Sequence, residues 1–69
     1  MKWMVCIKNQ GYAASLELRK LYPALDDDKS EAMGLLRIID ESGDDYLYPQ
    51  DMFRPMTVGK PLEEHLLTI

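Results

Sequence analysis

DESGDDYLYPQDMFRPM, residues 40–56, is the stretch whose reading decides the fold. Ser42 and Gly43 mark a tight turn, because glycine supplies the positive φ that short hairpins need. Tyr46, Leu47 and Tyr48 follow as a short aromatic and apolar strand. Pro49 then stops the ladder, since proline offers no backbone donor. Pro49, Gln50 and Asp51 read as one helical or 3₁₀ turn. Phe53 opens a last short strand, which Pro55 confines to a sheet edge or a strand end. A hairpin, a corner and a closing strand need partners, and the residues upstream must supply them.

Immediately before the turn, Ile38 and Ile39 are β-branched and Gly34 precedes them, so residues 35–40 read as a strand. Leu36 and Ile38 flank Arg37, which should point outward. Residues 26–32, DDDKSEA, read as a charged loop, because consecutive carboxylates repel one another. Ser30 could alternatively cap a helix there.

Residues 12–25 are ambiguous. Leu18, Leu21, Tyr22 and Leu25 follow i, i+3, i+4, i+7 spacing, which favours a helix, and the local pattern slightly prefers it. Pro23 biases Tyr22 toward extended geometry. Residues 1–8 alternate as a first strand with Trp3, Val5 and Ile7 on one face, ending at Asn9, Gln10 and Gly11. Downstream, Pro61 suits the first turn of a short helix, with Leu62, Leu66 and Ile69 on one face.

The second half resembles the SH3 domain family. Leu47-Tyr48-Pro49-Gln50-Asp51-Met52-Phe53 is similar to that family's apolar, aromatic, proline, two polar residues, tyrosine and valine, a segment that forms a strand, a 3₁₀ turn and a closing strand. Leu21-Tyr22-Pro23-Ala24-Leu25 resembles its early Ala-Leu-Tyr segment, and the Ser42-Gly43 turn falls at or beside its distal hairpin. The Glu41-Ser42-Gly43 and Asp45-Tyr46-Leu47-Tyr48-Pro49 segments also resemble small bacterial proteins of undefined function. The resemblance implies that residues 12–25 are extended. The expected fold is then all-β: a small SH3-like barrel of about five strands over residues 1–56, with a C-terminal helix or flexible tail over 57–69. The departures give no support to polyproline binding. Residues 35–39 hold no tryptophan, and the family's tyrosine falls on Met52. Pro49 and Tyr22 are what remain of that surface.

Chemistry-bearing motifs are sparse. The acidic run from Asp40 to Asp45 invites calcium, but the EF-hand pattern puts glycine sixth and glutamate twelfth. Here glycine is fourth and the twelfth residue is Asp51, so an acidic hairpin turn is the better account. His65 is the sole histidine and has no positioned partner in sequence. Cys6 sits mid-strand between Val5 and Ile7 and reads as a wall residue, not a nucleophile. No catalytic residue, metal ligand or cofactor is assigned.

With 69 residues, the chain is one domain at most, and a single cysteine excludes a disulfide framework. The formal net charge is −4 and the basic residues are scattered, which disfavours a nucleic-acid partner. The apolar run 3–7 is too short for a signal sequence, and no run approaches the roughly 20 residues that span a bilayer. The expected setting is soluble and cytoplasmic, with no membrane association. Trp3, Tyr12, Tyr22, Tyr46 and Tyr48 cannot all be core in so small a barrel, so some must be exposed, as interface aromatics are. The expected function is a non-enzymatic module that binds a protein partner, with homodimerisation as one form of that. Tyr22, Tyr46, Tyr48, Pro49 and Met52 are the candidate binding residues. Two alternatives come from other classes. One is a small acidic regulator or inhibitor that binds a basic protein surface. The other is an enzyme or metal site built on Asp40, Asp44 and Asp45.

Overall fold

The computed structural model describes residues 2–57. Five strands form one antiparallel sheet: β1 (Lys2–Cys6), β2 (Leu21–Leu25), β3 (Leu35–Ile39), β4 (Asp45–Pro49) and β5 (Phe53–Met56). Their order across the sheet is β4-β3-β2-β1-β5. The first four strands run as a meander, and β5 returns beside β1. The fold is all-β as expected. Among the described residues the helical pieces are α1 (Asp28–Ala32) and a 3₁₀ turn at Gln50–Met52. None is long and apolar enough to cross a membrane.

The stretch 40–56 folds much as its local chemistry dictates. Gly43 turns the β3–β4 hairpin at φ 85°, and its N–H donates to the Asp40 carbonyl at 3.0 Å. The hairpin ladder runs from Ile39 opposite Asp45 to Leu35 opposite Pro49. Pro49 ends β4, and the 3₁₀ turn starts at the next residue. β5 is an edge strand, which is where Pro55 can sit without leaving a donor missing from a central ladder.

The five strands expected of a small barrel are present, but the barrel is not closed. No ladder joins β4 to β5. The corner is the cause. The Gln50 N–H donates to the Gly34 carbonyl at 2.9 Å, and the Ile7 N–H donates to the Met52 carbonyl at 2.8 Å. The 3₁₀ turn is therefore fastened to the β3 side at one end and to the β1 side at the other. It spans the gap that a strand pairing would otherwise fill.

The core lies on one face of the sheet. Met4 and Cys6 from β1, Tyr22 and Ala24 from β2, Leu36 and Ile38 from β3, Tyr48 from β4 and Phe53 from β5 are buried together, with Leu16 added from the β1–β2 loop. Arg37 points away, as expected, and pairs with Asp27 at 2.8 Å and Asp45 at 3.0 Å.

The alternation expected in β1 is present, and packing decides which side faces the core. Trp3 and Val5 do share a face, opposite Pro23 and Leu21, but Met4 and Cys6 supply the core cluster from the other side. Both sets are apolar, so alternation could not tell inside from outside. Trp3 is nonetheless buried, with its indole Nε1 lacking a hydrogen-bond partner among the described residues. Ile7 is exposed beyond the strand end.

The extended alternative for residues 12–25 holds for β2 at 21–25, while residues 12–20 form a turn-containing loop, and the local helical pattern is not realised. Tyr22 and Ala24 alternate into the core, and that burial outweighs the weak helical preference. Residues 26–32 are not a loop throughout. Asp27 accepts the Ser30 N–H at 3.1 Å and so caps α1, while Arg37 and Lys2 hold Asp27 and Glu31 from outside the helix. The expected C-terminal helix, with Pro61, Leu62, His65, Leu66 and Ile69, lies outside the described residues.

Candidate functional site

The long β1–β2 loop builds one wall of a groove. Leu16 anchors it by inserting fully into the core. Asn9 Nδ2 donates to the Leu16 carbonyl at 3.0 Å, and the Tyr12 N–H donates to the Asn9 carbonyl at 2.8 Å, so the loop is tied to itself. The Glu41 N–H donates to the Ser15 carbonyl at 3.0 Å, which ties the loop to the β3–β4 turn. Tyr22 reinforces that junction. Its hydroxyl accepts the Glu17 N–H at 2.7 Å and donates to the Glu41 carboxylate, which Lys20 also holds.

Strand β4 builds the other wall. Tyr46 and Tyr48 stand on the same face as their cross-strand partners Ile38 and Leu36. Tyr48 is deep and Tyr46 is at the rim, 53% exposed. Tyr12 crosses from the loop and meets Tyr48 edge-on, with ring centroids 5.0 Å apart. The space between is about 370 Å³ and is lined by Tyr12, Ser15, Asp40, Ser42, Tyr46, Leu47 and Tyr48. Among the described residues β4 is an edge strand, and the groove runs beside it.

Asp40 sits at the base of this groove, 6% exposed. Its Oδ1 accepts from the Ser42 N–H at 2.9 Å and from the Ser42 hydroxyl at 2.5 Å. Its Oδ2 accepts the Tyr48 hydroxyl at 2.5 Å. Burial alone pushes this carboxyl up, but the Ser42 and Tyr48 donors outweigh it and hold it below the ordinary value. The Tyr48 phenol is pushed up to about 12, first by burial and then by the carboxylate beside it. Burial and the Glu41 carboxylate push the Tyr22 phenol up likewise.

An acid limit to stability follows. Lys20 and Tyr22 hold Glu41 down, and Asp27, Glu31 and Asp40 are lowered as well. A carboxyl with a depressed folded value stabilises the fold above its unfolded value, and that stability is lost as pH falls through the folded value. The urea midpoint is therefore expected to hold down to pH of about 5 and to fall below about 4. Glu41→Gln should flatten that fall. A midpoint that stays level into strong acid would contradict the carboxylate network.

The candidate residues do not all converge. Tyr46 and Tyr48 share the groove, while Tyr22 lies buried beneath the loop junction. Pro49 is half-buried before the 3₁₀ turn, and Met52 packs on the core. Asp44 and Asp45 do not join Asp40 there, since Asp45 faces Arg37. Among the described residues no three His, Cys, Asp or Glu side chains are placed to hold a metal ion. Cys6 is fully buried, donates to the Lys8 carbonyl, and has its thiol pushed up by burial. Tyr12, Ser15, Ser42 and Leu47 are the lining residues that sequence reasoning did not select. The one local signal was an aromatic beside Gly11, outside any regular strand pattern. Among known proteins, no family model, curated sequence or solved structure matches this chain significantly.

Proposed function

We propose that this chain is a non-enzymatic binding module that docks an extended segment of a protein partner in the groove beside β4. The observation that carries this is the pair of rings left in solvent on opposite walls, Tyr12 at 40% and Tyr46 at 53% exposed, over a base of buried Tyr48 and Asp40. Half-exposed tyrosines are costly to leave in water and are common anchors at interfaces. The edge of β4, which no described strand pairs, offers backbone donors and acceptors to an incoming strand. The binding surface proposed here is the loop and hairpin groove. A buried lone thiol suits a reducing compartment, so the proposed setting is the cytoplasm.

Immobilised wild-type protein should retain a discrete protein partner that Tyr46→Ala binds at least about tenfold more weakly, as for an interface hot spot. Lys29→Ala, on α1, should retain it fully. Equal retention by wild type and Tyr46→Ala would remove the groove from the proposal. If the retained partner is a second copy, sedimentation will show a dimer that the same substitution dissociates.

A further inference from the structure

We infer that the groove beside β4 receives an arginine side chain, its guanidinium stacked on the exposed Tyr12 and Tyr46 rings and paired with the Asp40 carboxylate. This rests on the groove being a docking site for a partner segment, and it names the group that site selects.

The first ground is an uncompensated charge. Asp40 is more than nine-tenths buried, yet every partner it has is neutral: the Ser42 N–H, the Ser42 hydroxyl and the Tyr48 hydroxyl. Buried charges are ordinarily paired with an opposite charge. Among the described residues no cation pairs with Asp40. The nearby basic side chains are committed elsewhere. Lys20 is held by Glu41 at 2.7 Å and lies near Glu17 at 3.7 Å, and Arg37 is held by Asp27 and Asp45.

The second ground is position. Asp40 is among the residues that line the groove, so a cation entering the groove meets the one carboxylate there.

The third ground is the character of the walls. Tyr12, Tyr46 and Leu47 make the entrance aromatic and apolar. A guanidinium is planar, weakly hydrated and stacks on aromatic faces, while an ammonium is compact and strongly hydrated. The groove therefore favours arginine over lysine. Its volume of about 370 Å³ falls in the roughly 300–1,000 Å³ range of ligand pockets.

The test compares arginine with citrulline, which keeps the shape and removes the charge. The isotope-labelled full chain is titrated, with amide NMR shifts as the readout, against N-acetyl-arginine-N-methylamide and its citrulline counterpart. Two pools of extended peptides, identical except for arginine or citrulline at one fixed position, are titrated in parallel. The expected result is saturable shifts at Tyr12, Asp40, Ser42, Tyr46 and Leu47 with arginine, and binding at least about tenfold weaker with citrulline. Tyr46→Ala, at an exposed site, should keep the folded spectrum and weaken the arginine response. Asp40→Asn should abolish it, and if that variant does not fold, the citrulline comparison on the wild type tests the charge. Pools that shift the groove equally would overturn the arginine assignment and leave peptide docking standing. Probes and pools that leave the groove unshifted would overturn both.

Discussion

Phe53→Ala is expected to cost about 4 kcal/mol, within the range of roughly 3–5 for a large aromatic removed from a core. Phe53 is 2% exposed and heads the largest fully buried side chains. It is the first residue of β5, opposite Cys6 on β1, and its ring meets Tyr48 edge-on at 6.2 Å between centroids. One side chain thus attaches the returning strand to the sheet and supports the residue under the groove. A single core in a chain of this length rarely supplies more than about 3–5 kcal/mol of net stability. The variant should therefore be largely unfolded at room temperature. Urea unfolding followed by circular dichroism and by Trp3 fluorescence provides the measurement. Met56→Ala, at an exposed position in the same strand, should stay within about 0.5 kcal/mol of wild type. A Phe53→Ala protein with the wild-type midpoint would mean that the core is not centred on this corner.

The second large effect belongs to Asp40. Asp40→Ala should destabilise the fold by about 3 kcal/mol, because it takes the charged acceptor from the buried Tyr48 hydroxyl and removes both bonds that organise the Ser42 turn. Tyr48→Phe keeps the ring and loses one charge-assisted bond, with an expected cost of about 2 kcal/mol. The two changes share a bond, so their costs should not add. The double variant should fall short of the sum by about 1–2 kcal/mol. Additive costs from denaturant midpoints would show that the hydroxyl and the carboxylate do not interact in solution. The same pair links stability to the proposed function, since the carboxylate that fastens the hairpin is the one that faces the groove. Neutralising Asp40 should therefore loosen the turn and remove the arginine response together.

Residues 40–56 were legible from local chemistry. Gly43 reaches a φ that other residues avoid, Pro49 cannot continue a ladder, and Pro55 belongs on an edge. Leu36, Arg37 and Ile38 announced one inward and one outward face because their polarities differ. The same logic failed in β1, where Trp3, Met4, Val5 and Cys6 are all apolar and alternation carries no sign. It failed at residues 12–25, where a helical spacing of leucines competed with a proline and lost to burial of Tyr22 and Ala24. It left α1 as an alternative capped at Ser30, because the true cap at Asp27 looked like one more member of a repelling acidic run.

Backbone restrictions travel with the residue that imposes them, so turn, corner and edge could be written down before any contact was known. Facing, closure and the groove are different, because each depends on residues far apart in the chain. Tyr12 meets Tyr48, and Ser15 meets Glu41, only after Leu16 has pinned the loop into a core assembled from all five strands. Whether Asp40 is a solvated turn residue or a buried charge is settled by that packing, and no spacing of carboxylates along the chain encodes it.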